Sequence, residues 1–332
     1  MPASFHPAEV TILRELLAAR GRHVSGARLA RQLDVSRVAV WMHLRKLRRQ
    51  GFGIEAARSV GYRLVAVPAE PHPALMLGLL RGRGRPARLL CLPSVDSTNS
   101  EAERQLAADC PLPCVIVARE QTHGRGRLGR RWHSAPNGNL YVSFAFRPRV
   151  PPARMQDFTL WMGLNLCDLV ANFCRLQPGL KWPNDLLLDG RKAGGMLTEA
   201  RIDADQIRDI VFGLGLNVNG RTADLPRELH RSAISLADAT GAPLDLNRFA
   251  AAVVGRVLTS YHQFLDGDYA AKFATLWERH DILRGRAVTL TQGDRTFTGT
   301  AAGIDAEGSL VLRLDHGRTA RFRAGEVTLT KT

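Results

Sequence analysis

The chain of 332 residues carries 46 Lys and Arg against 31 Asp and Glu, a formal net charge of +15, with an ordinary apolar share of 45%. That length can bury a sizeable core and suggests two or three domains, and the apolar share marks a globular chain. The basic balance favours polyanionic partners such as nucleic acid or nucleotides.

Met1 to Val10 has no basic start followed by an apolar run, and nowhere do about 18 apolar residues follow one another, so the expectation is a soluble, cytoplasmic protein without a membrane partner. The five cysteines, Cys91, Cys110, Cys114, Cys167 and Cys174, are odd in number and lack paired metal-ligand spacing. They read as buried or idle thiols in a reducing compartment.

The basic excess is concentrated at the amino terminus, where residues 1–65 hold 12 Lys and Arg and four Asp and Glu. Val10, Leu13 and Leu17 recur at helical spacing and end at Gly21, predicting a first helix of about 10 residues. Ser25 can cap a short helix carrying Leu29 and Leu33, and Asp34-Val35 leads to a second cap at Ser36. The helix predicted from Arg37 to about Gln50 has two stripes, apolar Val40, Leu44 and Leu47, and a basic face of Arg37, Arg45 and Arg48 with one aromatic, Trp41. Gly53 to Ala57 and Gly61 to Val65, around Arg58-Ser59-Val60, read as a small hairpin or wing. A charge run alone is usually a solvated face, but cap, turn, two-faced helix and wing in this order point to a DNA reader.

Val67-Pro68-Ala69-Glu70-Pro71-His72-Pro73 reads as an interdomain linker, and Gly82-Arg83-Gly84-Arg85 as a solvated turn. Strand-like runs follow at Leu89–Cys91, Val115–Ala118, Leu140–Phe146, Asp185–Leu188 and Ile210–Leu216, with helical patterns over Ser97–Ala108, Phe158–Leu176 and Leu246–Leu265. Without strict βαβ alternation this is an α+β mixed sheet.

The most informative segment is Gln121-Thr122-His123-Gly124-Arg125-Gly126-Arg127-Leu128-Gly129-Arg130-Arg131-Trp132, read with Lys181-Trp182-Pro183-Asn184-Asp185 and Lys192. Arginines interleaved with glycines bring guanidinium groups and bare N–H donors to phosphate or carboxylate oxygens. Gly124, Gly126 and Gly129 also satisfy a dinucleotide pattern, but no Asp or Glu stands between Arg130 and Gln156 to meet a ribose, which excludes that reading. From Arg286 onward, short strands at Ala287–Leu290, Phe297–Ile304, Leu310–Leu314 and Ala320–Arg323, with a turn at Asp315-His316-Gly317, predict a small barrel.

The amino-terminal segment resembles the winged helix-turn-helix of the bifunctional biotin protein ligases that also repress biotin genes, through Ser25-Gly26, Leu29, Leu33, Ser36-Arg37, Ala39-Val40, His43 and Gly61-Tyr62. Met42 departs, standing where that family usually has lysine. The resemblance continues in order through Asp96-Ser97-Thr98-Asn99, Gln121, the Gly124-to-Trp132 loop, Asn139-Leu140-Tyr141, Lys181 to Asp185, Lys192-x-Gly194-Gly195 and Gly213-x-Gly215-x-Asn217-x-Asn219. His123 and Leu128 are further departures within the loop.

The resemblance implies three domains: a winged helix-turn-helix over 1–66, a linker over 67–74, a class II synthetase-like biotin and ATP domain over 75–282, and an SH3-like β-barrel over 283–332. It implies biotin, ATP and Mg²⁺ as ligands, with biotinyl-5′-AMP formed and biotin passed to a lysine of a biotin carboxyl carrier protein. Operator DNA and a homodimer of the adenylate-bound form are the further partners it implies.

By correspondence, Ser97, Thr98, Asn99, Gln121, Arg125, Gly126, Arg127 and Lys192 would hold biotin, and Lys192, Arg125 and Arg127 would be catalytic. Arg127, Arg130, Trp132, Asn184, Asp185, Lys192 and Asn217 would meet the nucleotide, with Asp185 the Mg²⁺ ligand. Ser36, Arg37, Trp41, His43, Arg45 and Arg48 would touch DNA. Ser97 could equally be a helix cap, Trp132 and Trp182 could be packing residues, and Lys181 an ordinary surface lysine. The loop is expected to order over the ligand. Other readings are a ligase whose amino-terminal domain does not regulate, a lipoate ligase, and a ligand-sensing repressor without catalysis.

Overall fold

The computed structural model describes residues 6–136, 138–315 and 317–329. Residues 1–5 of the stretch read for a leader, and His316 of the last expected turn, lie outside them. Three helices open the chain: α1 (Pro7–Ala18), α2 (Gly26–Leu33) and α3 (Arg37–Arg49). The first helix is capped reciprocally, Glu9 accepting from the His6 amide while His6 Nδ1 accepts from Ala8. Its core residues are Val10, Ile12, Leu13 and Leu16, with Leu17 only partly buried, because packing on both α2 and α3 widens the stripe.

Asp34 turns the chain in the left-handed region, φ 53°. Ser36 then caps α3 by accepting from Ala39 N at 3.1 Å. Ser25 stands at the start of α2 but makes no side-chain cap there. The wing is the antiparallel pair β1 (Gly53–Ala57) and β2 (Gly61–Ala66). It is pinned to the helices by the Val24–Tyr62 bridge. At Gly61, φ 129°, a Cβ would run into the Val24 backbone, so only glycine serves.

The segment read as linker is held down rather than free. Asn247 donates to the carbonyls of Pro68 and Glu70 and accepts from the His72 amide at 2.8 Å. Pro73 opens α4 (Pro73–Leu79), a helix buried except at its last residue and packed on α1.

Next come β3 (Arg88–Leu92), α5 (Thr98–Ala107), β4 (Cys114–Ala118), β5 (Leu140–Phe146), α6 (Phe158–Cys174), β6 (Gly179–Lys181), β7 (Asp185–Leu188), β8 (Arg191–Asp203), β9 (Gln206–Leu216), α7 (Leu236–Thr240), α8 (Leu246–Asp266) and α9 (Ala270–His280). The seven strands order as β3-β4-β5-β9-β8-β7-β6, with β3 and β4 parallel and every other pair antiparallel. This is a mixed α+β sheet, with β4 and β5 buried on both faces as their unbroken apolar runs require. On one face Phe144, Phe146 and Phe212 meet Phe158, Tyr261 and Phe264 of α6 and α8. On the other, Ile116, Ala145 and Val211 pack with Ala102 and Leu106 of α5.

The last strands, β10 (Ala287–Gln292), β11 (Arg295–Ile304), β12 (Leu310–Leu314), β13 (Thr319–Phe322) and β14 (Glu326–Leu329), form an antiparallel sheet ordered β13-β12-β11-β10-β14. Among the described residues its two edges, β13 and β14, do not pair, so hydrogen bonds do not close it into the expected barrel. It is tied to the central sheet where Trp182, fully buried, donates Nε1 to Gly308 O at 3.1 Å.

Candidate active site and nucleic-acid interface

The starts of α5 and of β8, the end of β9, and the loops after β4 and β6 converge on a cleft of about 310 Å³ floored by the sheet and edged by β14. It is lined by Ser97, Thr98, Asn99, Gln121, Arg125, Gly126, Arg127, Arg130, Trp132, Asn184, Asp185 and Lys192, along with Lys181. Asn217 lies behind the lining residues of the cleft. Its amide is spent on the carbonyls of Lys192 and Ile234, both 3.3 Å away, so it supports the backbone of Lys192 from behind.

One end of the cleft is neutral and polar. Asp96, held down to about pKa 2 chiefly by Arg104, accepts from the Ser97 amide at 2.8 Å. Ser97 stands at the N-cap position of α5, is buried, and makes no side-chain cap. Gln121 Oε1 accepts from both the amide and the hydroxyl of Thr98, and its Nε2 donates to Ser134 Oγ at 2.8 Å. Ser143 Oγ lies 2.7 Å from Thr98 Oγ1 and 2.6 Å from Asn99 Oδ1, and Asn99 Nδ2 donates to Glu199 at 2.7 Å. A cluster so connected presents donors and acceptors in fixed directions at little reorganisation cost.

The other end is cationic. The loop after β4 folds back on itself, Gly126 N donating to Arg130 O and Trp132 N to Gly124 O. Leu128, φ 56° and 73% exposed, forms its tip. Arg125 pairs with Glu199 and Glu103. Arg127 donates to Asn184 Oδ1 at 3.1 Å and to Gly325 O at 3.3 Å, and burial pulls its pKa below the usual arginine value. Arg130 reaches Glu326 of β14 at 2.5 Å, so the loop touches both sheets.

Lys192 Nζ is 2.7 Å from Asp185 Oδ1, 3.4 Å from the Cβ position of Gly195, and lies over the Trp132 indole at 5.4 Å. A Cβ on Gly215 would fall 2.5 Å from that indole, so the bare backbone is what lets Trp132 lie flat on the sheet. The indole Nε1 is buried with no partner among the described residues. Sequence reasoning missed Ser134, Ser143 and Glu199, isolated polar residues whose positions on or beside the sheet put them under the cleft. For Ser143 the available signal was an odd polar residue amid the apolar run of β5, and Glu199 gave none.

In the amino-terminal unit Arg37, Trp41 and Arg45 are exposed on one face of α3, Arg45 lying over the Trp41 ring at 5.5 Å. Two residues expected on that face are engaged elsewhere. Arg48 Nε donates to Ile54 O at 2.9 Å, its long side chain reaching from that face to the wing. His43 faces α1, its Nδ1 3.5 Å from buried Glu9, which also takes Lys46 Nζ at 3.0 Å. Ser36 is occupied as the cap.

Three family models match in order: the HTH domain over residues 9–63, the biotin/lipoate A/B protein ligase family over 91–217, and the biotin protein ligase C terminal domain over 284–329. The bifunctional ligase/repressor BirA of Bacillus subtilis is 32% identical over 310 residues, 92% of this chain and 94% of that protein. The chain belongs to the biotin protein ligase family. Another member, the bifunctional ligase/repressor BirA of Escherichia coli, is 31% identical over 313 residues, covering 94% of this chain and 95% of that one. Among solved structures of the family, the biotin protein ligase from Aquifex aeolicus in complex with biotin and ATP superposes with a TM-score of 0.62 at 28% identity, over 74% of this chain and all of the other. The ligase family match encloses both the Ser97 cluster and the cationic loop, and the HTH match encloses the exposed face of α3.

Proposed function

We propose that this chain is an ATP-dependent biotin protein ligase that makes biotinyl-5′-AMP, passes biotin to a lysine of a biotin carboxyl carrier protein, and represses transcription through its helix-turn-helix in response to biotin. The observation that carries it is the two-ended cleft: a neutral hydrogen-bonding cluster joined to Arg125, Arg127, Arg130 and Lys192. In the reaction a biotin carboxylate oxygen attacks the α-phosphorus of ATP and pyrophosphate leaves. Both reactants are anions, so the site has to supply cations before the bond can form. A lysine amine then attacks the mixed anhydride, and AMP leaves with the bonding electrons.

Ser97, Thr98, Asn99 and Gln121 suit a buried neutral ring that offers both N–H and C=O groups. Lys192 is placed for the carboxylate and α-phosphate, and Arg125, Gly126 and Arg127 for closure over the ligand. Arg130, Trp132 and Asn184 suit the nucleotide. No group of three or more His, Cys, Asp or Glu able to hold a metal exists among the described residues. Asp185 therefore fits Mg²⁺ only in the mode where one carboxylate and the nucleotide phosphates share the ion, which would neutralise phosphate charge.

Arg37, Trp41 and Arg45 form the face offered to a major groove, with two such faces brought to a two-part operator by an adenylate-bound homodimer. The carboxy-terminal sheet, read as an SH3-like barrel, closes the nucleotide end, which the Arg127 and Arg130 contacts to β14 support. Residues 1–66, 75–282 and 283–332 are the three units of this reading, and a cytoplasmic location suits its substrates. Incubation with ATP, Mg²⁺, labelled biotin and a purified carrier domain tests it: label on the carrier lysine supports ligation, and no transfer contradicts it.

A further inference from the structure

The sequence holds Gly-Arg-Gly-Arg twice, and the copy at Gly82–Arg85 plays no part in the cleft. Gly82, Arg83 and Arg85 are exposed, as a solvated turn requires, but Gly84 is not. Residues 82–84 form a single 3-10 turn in which Gly84 is buried on α8, where a Cβ would stand 3.0 Å from Gly255 Cα. That close approach fixes the turn and leaves Arg81, Arg83 and Arg85 exposed.

Arg83 is neutralised by Asp266 at 2.7 Å. Arg81 Nη1 donates to Gly78 O at 2.6 Å and Leu80 O at 2.9 Å, at the end of α4, leaving its other nitrogens uncommitted among the described residues. Gly78 abuts α1, its Cβ position 3.7 Å from Arg14 N, so Arg14 and Arg81 share the seam between α1 and α4. Arg14 Nε is buried without a partner. Arg85 is held below the usual arginine pKa first by burial, then by the charges of Arg14 and Arg81. Among the described residues none of these three is within 4.0 Å of a carboxylate, whereas many of the other arginines are paired. Arg85, set beside two other guanidinium charges, and the unsatisfied buried donor of Arg14 suit a multiply charged oxyanion.

We propose that Arg14, Arg81 and Arg85 form a second anion site, on the seam between the winged helix and the catalytic domain, that binds a phosphoryl group. A free phosphoryl anion and a nucleic-acid phosphodiester share the required chemistry. Because Arg14 belongs to α1 while Arg81 and Arg85 follow α4, a bound anion bridges and stiffens the two units.

Amide hydrogen exchange on the full chain tests this, in one arm with inorganic pyrophosphate and in a second with a short DNA duplex of arbitrary sequence. Slowed exchange over 10–18 and 76–86 with pyrophosphate assigns a free anion, and slowing there only with duplex assigns the phosphodiester. Arg85→Gln, at a side chain that makes no hydrogen bond among the described residues, should weaken the effect about tenfold and leave any protection over 124–132 unchanged, while Arg85→Lys should retain most of it. No protection of the seam in either arm, or equal protection in Arg85→Gln, would overturn the proposal.

Discussion

Lys192 Nζ and Asp185 Oδ1 stand 2.7 Å apart on neighbouring strands, with the lysine side chain 39% exposed and the carboxylate 16%. Lys181 Nζ stands 3.7 Å from the same carboxylate, so Asp185 holds two cations in the cleft. That carboxylate is the one best suited to share an ion with nucleotide phosphates. Under the ligase reading Lys192→Ala removes one charge-stabilising donor, and adenylate formation should slow by on the order of 10²-fold. Single-turnover formation of adenylate measures it, and a change of only a few-fold would remove Lys192 from that role.

The exposed face of α3 supports a separate expectation. Arg45 packs on Trp41 rather than on a carboxylate, so Arg45→Ala should weaken DNA binding by about tenfold and leave biotin transfer intact. Arg48→Ala should instead lower stability, since that side chain holds the Ile54 carbonyl. Electrophoretic mobility shifts and ligation assays on the same preparations distinguish them. A parallel fall of DNA binding and ligation in Arg45→Ala would contradict the separation of the two activities.

Gly215 tests the packing of Trp132. A methyl group there overlaps the indole, 2.5 Å from Cε2, and the sheet beneath cannot move away. Gly215→Ala should cost about 1–3 kcal/mol and displace the ring. Urea unfolding and tryptophan fluorescence report the two effects. An unchanged midpoint and spectrum would show that Trp132 does not rest on the strand.

His72 gives a pH dependence. It is buried against Phe52, both ring nitrogens lack partners among the described residues, and burial lowers its pKa to about 4 despite the opposing charge of Glu9. A histidine whose folded pKa lies below its unfolded value favours the unfolded state as it becomes protonated. Its neutral form is therefore free of penalty above pH 6.5, and stability falls as pH drops from 6.5 towards 4, by about 3 kcal/mol at most. In His72→Gln that part of the pH slope should vanish from urea midpoints measured between pH 7.5 and 5. An identical slope in both proteins would place the titration elsewhere.

Long, strictly patterned elements were legible in the sequence. Leu140–Phe146 and Asp185–Leu188 have the bounds their apolar runs predict, because a strand covered on both faces has little freedom in composition. By contrast β8 is invisible as a strand, since Gly194-Gly195 interrupts its start and its far half is exposed and polar. It pairs with β9 as a hairpin closed between Asp203 and Gln206, with a register shift between Arg201 and Ile202. The Ser97 cluster and the cationic loop were legible because their spacing carries their chemistry. That Asn217 holds the Lys192 carbonyl was not legible, because spacing along a strand does not reveal which side chains turn back to a backbone carbonyl. Arg48 and His43 fell on the right helix but were claimed by the wing and by α1.

Under the ligase reading the cleft joins a biotin carboxylate to the α-phosphate of ATP. The most direct test is to supply ATP and Mg²⁺ with biotin, lipoate or octanoate in parallel and to quantify acyl-adenylate and pyrophosphate. Adenylate and pyrophosphate should form in equal amounts with biotin and in small amounts with the other two acids. No product with any of them, or a preference for lipoate, would contradict that reading.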